Sequence, residues 1–168
     1  MEVAAVTWTD IGTFAVAAAT FGLLVAALFV AWHQINQSRE ATQAQLMADL
    51  SRRWDEEQLV ESRRTMESYV MSEGLLDAIQ RLILNHDPEY YVLVKIPNFF
   101  EDLKILCDRK GVRLDAIRDS LGGACIHHWR QSEPAVKFLQ TARRQTYEHF
   151  EALAKLLEKE HEEPGYSY

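Results

Sequence analysis

With 168 residues, the chain has room for one domain beyond a single membrane anchor. Its net charge is −7, and −5 remains once Glu2 and Asp10 of the anchor region are set aside; so acidic a remainder argues against broad nucleic-acid binding, which needs a basic face. Two cysteines with no CxxC spacing, and no glycine-rich phosphate loop, exclude a disulfide scaffold, a zinc ribbon and a P-loop.

The stretch Ile11 to Trp32, IGTFAVAAATFGLLVAALFVAW, holds no charged residue and no proline. As a helix it is about 33 Å long, enough to cross a hydrocarbon core of about 30 Å. The flank before it carries Glu2 and Asp10 but no Lys or Arg, which does not fit a cleaved signal peptide. The first arginines, Arg39, Arg52 and Arg53, all follow the span. The positive-inside rule then predicts an inner-membrane anchor with its N-terminus outside and the bulk of the chain in the cytoplasm. Residues 1–32 are therefore read as flank and transmembrane anchor, with Trp8 and Trp32 as interfacial aromatics. Ala15, Ala19, Gly22 and Ala26 make a small-residue stripe that lets helices approach closely in lipid, so a homo-oligomer is expected. A generic alanine-rich anchor has the same composition.

Residues 33–54 form a polar neck. Neither Pro nor Gly occurs between Gly22 and Gly74, so the span can continue as helix. In an oligomer Gln34, Asn36 and Gln37 would gather around a common axis as pore candidates; a solvated stalk is the other reading. Ile35, Leu46 and Leu50 keep one thin apolar face.

Residues 55–163 read as a helical domain and 164–168 as a tail. Asp55 with Gln58 forms a capping-box pattern, and Trp54 with Leu59 a hydrophobic staple, starting a helix from about Glu56 to Ser72. A short helix, Leu75 to Leu84, follows. Asp87 and Pro88 signal the next start, running to Lys110, with Pro97 expected to kink or split it. Leu114 to Trp129 reads as another helix, with Gly122 and Gly123 permitting close approach or a local break. Ser132 and Pro134 are expected to open the last helix, continuous to about His161, whose stripe of Val136, Leu139, Phe150, Leu153 and Leu157 includes Arg143 and Thr146. No stretch reads as a strand. The fold class is all-α: one transmembrane helix, then a helical bundle.

An arginine on an apolar stripe needs a carboxylate, because an unpaired buried charge is costly. Arg143 is therefore expected to pair with Glu101 or Asp102 in a structural bridge between helices. Phe100-Glu101-Asp102-Leu103 and Phe150-Glu151-Ala152-Leu153 echo each other without implying a duplication. Cys107, Cys125, His127 and His128 lack the second close pair a zinc site needs, so no metal and no other cofactor is expected. Arg144 and His149 match the bare Arg-x4-His pattern of HEPN ribonucleases. Placed mid-helix, their side chains would point about 140° apart.

These landmarks together, from Trp54 through NFFEDLKILCDRKGV at Asn98 to Val112, Trp129, Pro134, Arg143 and HFEAL at His149 to Leu153, resemble a broad family of small single-pass bacterial membrane proteins. They are also similar to the accessory membrane proteins of type VI-B CRISPR systems, which carry a divergent HEPN-like motif and assemble into a ring with a membrane pore. The resemblance implies Arg144 and His149 as the motif positions, with Arg143 as an alternative. Gln145 stands where HEPN enzymes usually have Asn, Asp or His. The expected function is accordingly a non-enzymatic, oligomeric membrane effector or accessory in antiviral defence, able to form a pore. A membrane-tethered HEPN-like ribonuclease and a passive scaffold for a cytoplasmic protein partner are the alternatives. The bilayer is the expected partner, and nucleic acid is left open.

Overall fold

A computed structural model describes residues 8–109 and 111–162, with side chains for 19–109 and 111–159. Among the described residues the structure is all-α, with no strand. The elements are α1 (Trp8–Trp54), α2 (Glu57–Ser72), α3 (Leu75–Leu84), α4 (Tyr90–Leu93), α5 (Lys95–Asp108), α6 (Leu114–Ile117), a π-helical turn (Arg118–Gly122), α7 (Gly123–Ala142) and α8 (Glu148–Glu162).

The chain divides into two units, Met1–Thr42 and Gln43–Tyr168. Among the described residues, the first is α1 helix alone. Every described side chain from 19 to 35 is exposed, including Phe21, Leu23, Leu24, Leu28 and Phe29. In water such a helix would present apolar surface on all sides. It is long and apolar enough to cross a membrane. No glycine or proline interrupts the following polar stretch, and α1 stays helical through it to Trp54.

In the second unit, the last turns of α1 contribute Leu46, Met47, Leu50 and Trp54 to a core shared with Leu59, Phe99, Phe100, Leu103, Trp129, Phe150 and Leu153. Aromatic rings set its geometry. Phe100 stacks on Phe150 with centroids 5.2 Å apart, and Trp129 meets Phe150 edge-on at 5.2 Å. A smaller core joins α2, α3, α4 and α7 through Met66, Ile79, Leu82, Leu93 and Ala135.

Four boundaries differ from expectation. The capping box does not form: α2 starts one residue late, with Glu56 at the cap position and no side-chain cap. Asp55 belongs to the turn closing α1, where its N–H bonds the Ser51 and Arg52 carbonyls. The helix from Asp87 starts later, at Tyr90, and is split as expected, with the division at Val94, so Pro97 falls in the first turn of α5, where its missing N–H costs nothing. Asp87 still acts locally, accepting from Glu89 N at 2.9 Å. Ser132 and Pro134 do not start a helix; both lie inside α7, held by the burial of Trp129, Ser132, Ala135 and Val136 around the proline. The break comes at Arg143 instead, with extended backbone at φ −146°, and Tyr147 is left-handed at φ 58°.

That break is held by one contact from a distant segment and one across the turn. Glu101 of α5 accepts from Phe150 N at 2.7 Å, capping the first turn of α8. Gln140 donates to the Thr146 carbonyl at 3.0 Å. The two echoing tetrapeptides thus meet: their phenylalanines stack, and the glutamate of one caps the helix of the other.

Candidate functional site

On the span, Ala19, Gly22 and Ala26 are exposed, and a methyl group added at Gly22 would meet nothing within 4 Å. Ala15 carries a side chain outside the described residues. The stripe is therefore open to another helix from Ala19 on. In the neck Gln34 and Gln37 are exposed and Asn36 is half-buried; the Gln37 amide nitrogen lies 3.1 Å from His33 Nε2, one turn back. These amides retain donors and acceptors for water or for a second copy.

At the α7–α8 turn the structure corrects the expectation for Arg143. It is exposed at the end of α7, and no buried ion pair joins it to Glu101 or Asp102. The reason is the helix break, which takes Arg143 off the apolar stripe. Glu101 is committed to the α8 backbone, and Asp102 lies 3.6 Å from Arg53 of α1. The mid-helix placement of Arg144 and His149 is also corrected. Arg144 sits in the exposed turn and His149 in the first turn of α8, where the fixed angle of a continuous helix does not apply. His149 Nδ1 is 3.9 Å from Asp108 and Nε2 is 4.0 Å from Glu148. Tyr147 between them is half-buried, and its hydroxyl pKa is raised by burial, then by Tyr90 and Glu101.

Among the described residues no cluster of three or more His, Cys, Asp or Glu side chains could hold a metal ion. Burial pushes the thiols of Cys125 and Cys107 up, so both are held as poorly nucleophilic thiols.

Two polar arrangements were not foreseen. Glu151 of α8 accepts from Lys137 at 2.6 Å, Lys155 at 2.6 Å and Gln140 at 3.1 Å, and the lysines hold its carboxyl down at about 2. The other arrangement lies where α1 ends. Trp54 packs at 5.2 Å from Phe99, 5.3 Å from Phe100 and 5.7 Å from the ring of His128. The Arg63 guanidinium sits 4.3 Å over the indole and donates to the Trp54 carbonyl at 2.8 Å, closing the helix C-terminus. His128 is 4% exposed, and its Nδ1 has no hydrogen-bond partner. Its burial was legible, since Cys125, His128, Trp129 and Ser132 follow a helical stripe, but its partners come from α1, α2 and α5.

Neither curated proteins nor solved structures gave a match. A family model described as a domain of unknown function, DUF4760, matches residues 18–157. Covering most of the sequence, that match establishes that the chain belongs to the DUF4760 family.

Proposed function

We propose that this protein is a membrane-anchored helical effector or accessory that acts by self-association through its span. The observation that carries the reading is the exposed apolar helix with a small-residue face, Ala19, Gly22 and Ala26, open to a second helix. The arginines that follow the span, against an N-terminal flank with acids alone, support an inner-membrane orientation with the bundle in the cytoplasm. Copies brought together there would gather Gln34 and Gln37 at the cytoplasmic mouth. Polar groups at membrane depth are tolerated against water or protein, so a hydrated opening fits this assembly. The resemblance to accessory proteins of type VI-B CRISPR systems supports an antiviral role of the same kind, with or without a protein partner for the bundle.

One observation favours a second reading. The exposed turn frees Arg144 and His149 from a fixed angle, so two protomers can present them to RNA as HEPN enzymes do.

Sizing of the full chain in detergent tests the leading reading. The parent should be oligomeric, and Gly22→Leu should lower the oligomer state by blocking close approach. A monomeric parent, or an unchanged assembly in the variant, removes the span as the interface. A periplasmic readout from a C-terminal reporter fusion would overturn the orientation. RNA cleavage by the purified protein that disappears in His149→Ala would replace the leading reading with the ribonuclease.

A further inference from the structure

The junction at the end of α1 is built around a buried base. Trp54, the last residue of α1, is ringed by Phe99 and Phe100 of α5, His128 of α7 and Arg63 of α2. It is the residue whose carbonyl ends the helix, and Arg63 holds that carbonyl and covers that ring at once. His128 closes the other contacts of the cluster, 5.7 Å from Trp54 and 6.4 Å from Phe100.

Neutral imidazole is suited to this place and its conjugate acid is not. A second ring proton puts a positive charge among the rings of Trp54 and Phe100, out of water and near the Arg63 cation. Among the described residues, the groups acting on the ring include no carboxylate. α1 offers Trp54 and α5 offers Phe100, neither of which carries charge. α2 offers the Arg63 cation, and α7 offers His127 and Gln131. Gln131 alone favours the charged form, and burial of the ring outweighs it.

We propose that His128 makes this junction an acid-sensitive latch: when the imidazole takes a second proton from solvent, the last turn of α1 is released from the bundle. The cation is repelled by Arg63 and loses its packing against Trp54, so the proton is accommodated by opening the contact between them. Above neutral pH the latch is shut. Burial, followed by His127 and Arg63, holds the His128 pKa down at about 4, so opening is driven as pH falls below the ordinary histidine value of 6.5. Reclosing needs only loss of the same proton.

Hydrogen exchange of the full chain in detergent reads the latch directly. After correction for intrinsic rates, protection of residues 47–54 should fall about 20-fold between pH 7 and pH 5, as the two ends of that pKa range imply. Residues in the middle of α5 and α8, which exchange through global unfolding, should stay more protected than 47–54 at both pH values. His128→Phe, which keeps a ring in the contact and removes the base, should leave 47–54 protected at pH 5. An equal fall in His128→Phe overturns the proposal, and so does exchange of 47–54 at pH 5 no faster than that of the middle of α5 and α8, which would mean general unfolding. If that variant fails to fold, the histidine resonances of the wild type decide. A His128 signal titrating below pH 5 together with the Trp54 indole supports the latch, and one titrating near 6.5 overturns it.

Discussion

Replacing Phe100 with alanine should destabilise the helical bundle by about 3–5 kcal/mol. Phe100 is fully buried, and its ring is the common partner of Trp54 at 5.3 Å, Phe99 at 5.3 Å, Phe150 at 5.2 Å and His128 at 6.4 Å. Its removal opens a cavity at the point where α1, α5, α7 and α8 meet, and those rings cannot all collapse into it. Each lost aromatic pair adds to the transfer term. Domains of this size are stable by about 5–15 kcal/mol, so the variant should lie near the edge of folding. Denaturant titration of the full chain in detergent, followed by near-ultraviolet circular dichroism, measures the loss. Phe138→Ala is the control: its ring is 38% exposed, and the change should cost well under half as much. If the two variants lose the same stability, Phe100 is not the centre of the core.

Acidification should act in two separate windows. His128 has a folded pKa of about 4, below its ordinary value, so the unfolded chain takes up the proton first. The stability it carries is whole above about pH 6.5 and is lost as pH falls from 6.5 towards 4, about 3 kcal/mol in all. Glu151 has its carboxyl held down at about 2 by Lys137 and Lys155, so its contribution is whole above about pH 4.5 and is lost below it. Lys155 is exposed and Lys137 nearly half so, and solvent screening limits that second loss to about 1 kcal/mol. Stability measured at pH 7, 5.5 and 4.5 should therefore fall steeply in the wild type and much less in His128→Phe. Parallel slopes for the two proteins would assign the acid response to other groups.

Much of the architecture followed from local chemistry. An uncharged 22-residue stretch forms a helix, which satisfies its backbone groups internally, and that helix is long and apolar enough to cross a membrane. The absence of glycine and proline carried that helix on to Trp54, and periodicity placed Val136, Phe150, Leu153 and Leu157 in the interior. Spacing alone sets that Ala19, Gly22 and Ala26 share a helix face.

Tertiary contacts decided the rest, and the α7–α8 region shows why. Pro134 carries a local penalty of about 3 kcal/mol against the helix interior, yet the buried residues around it keep α7 intact. Nothing in the run from Arg143 to Tyr147 forbids helix. The chain breaks there because Glu101, 49 residues earlier, caps Phe150, and because Gln140 takes the Thr146 carbonyl. A carboxylate's choice of partner is set by which helix it faces, so Glu101 satisfied a helix end and Arg143 was left in solvent. The same limit hid the junction around Trp54. Its four partners lie on three different helices, and their convergence depends on how those helices pack, which local sequence does not encode.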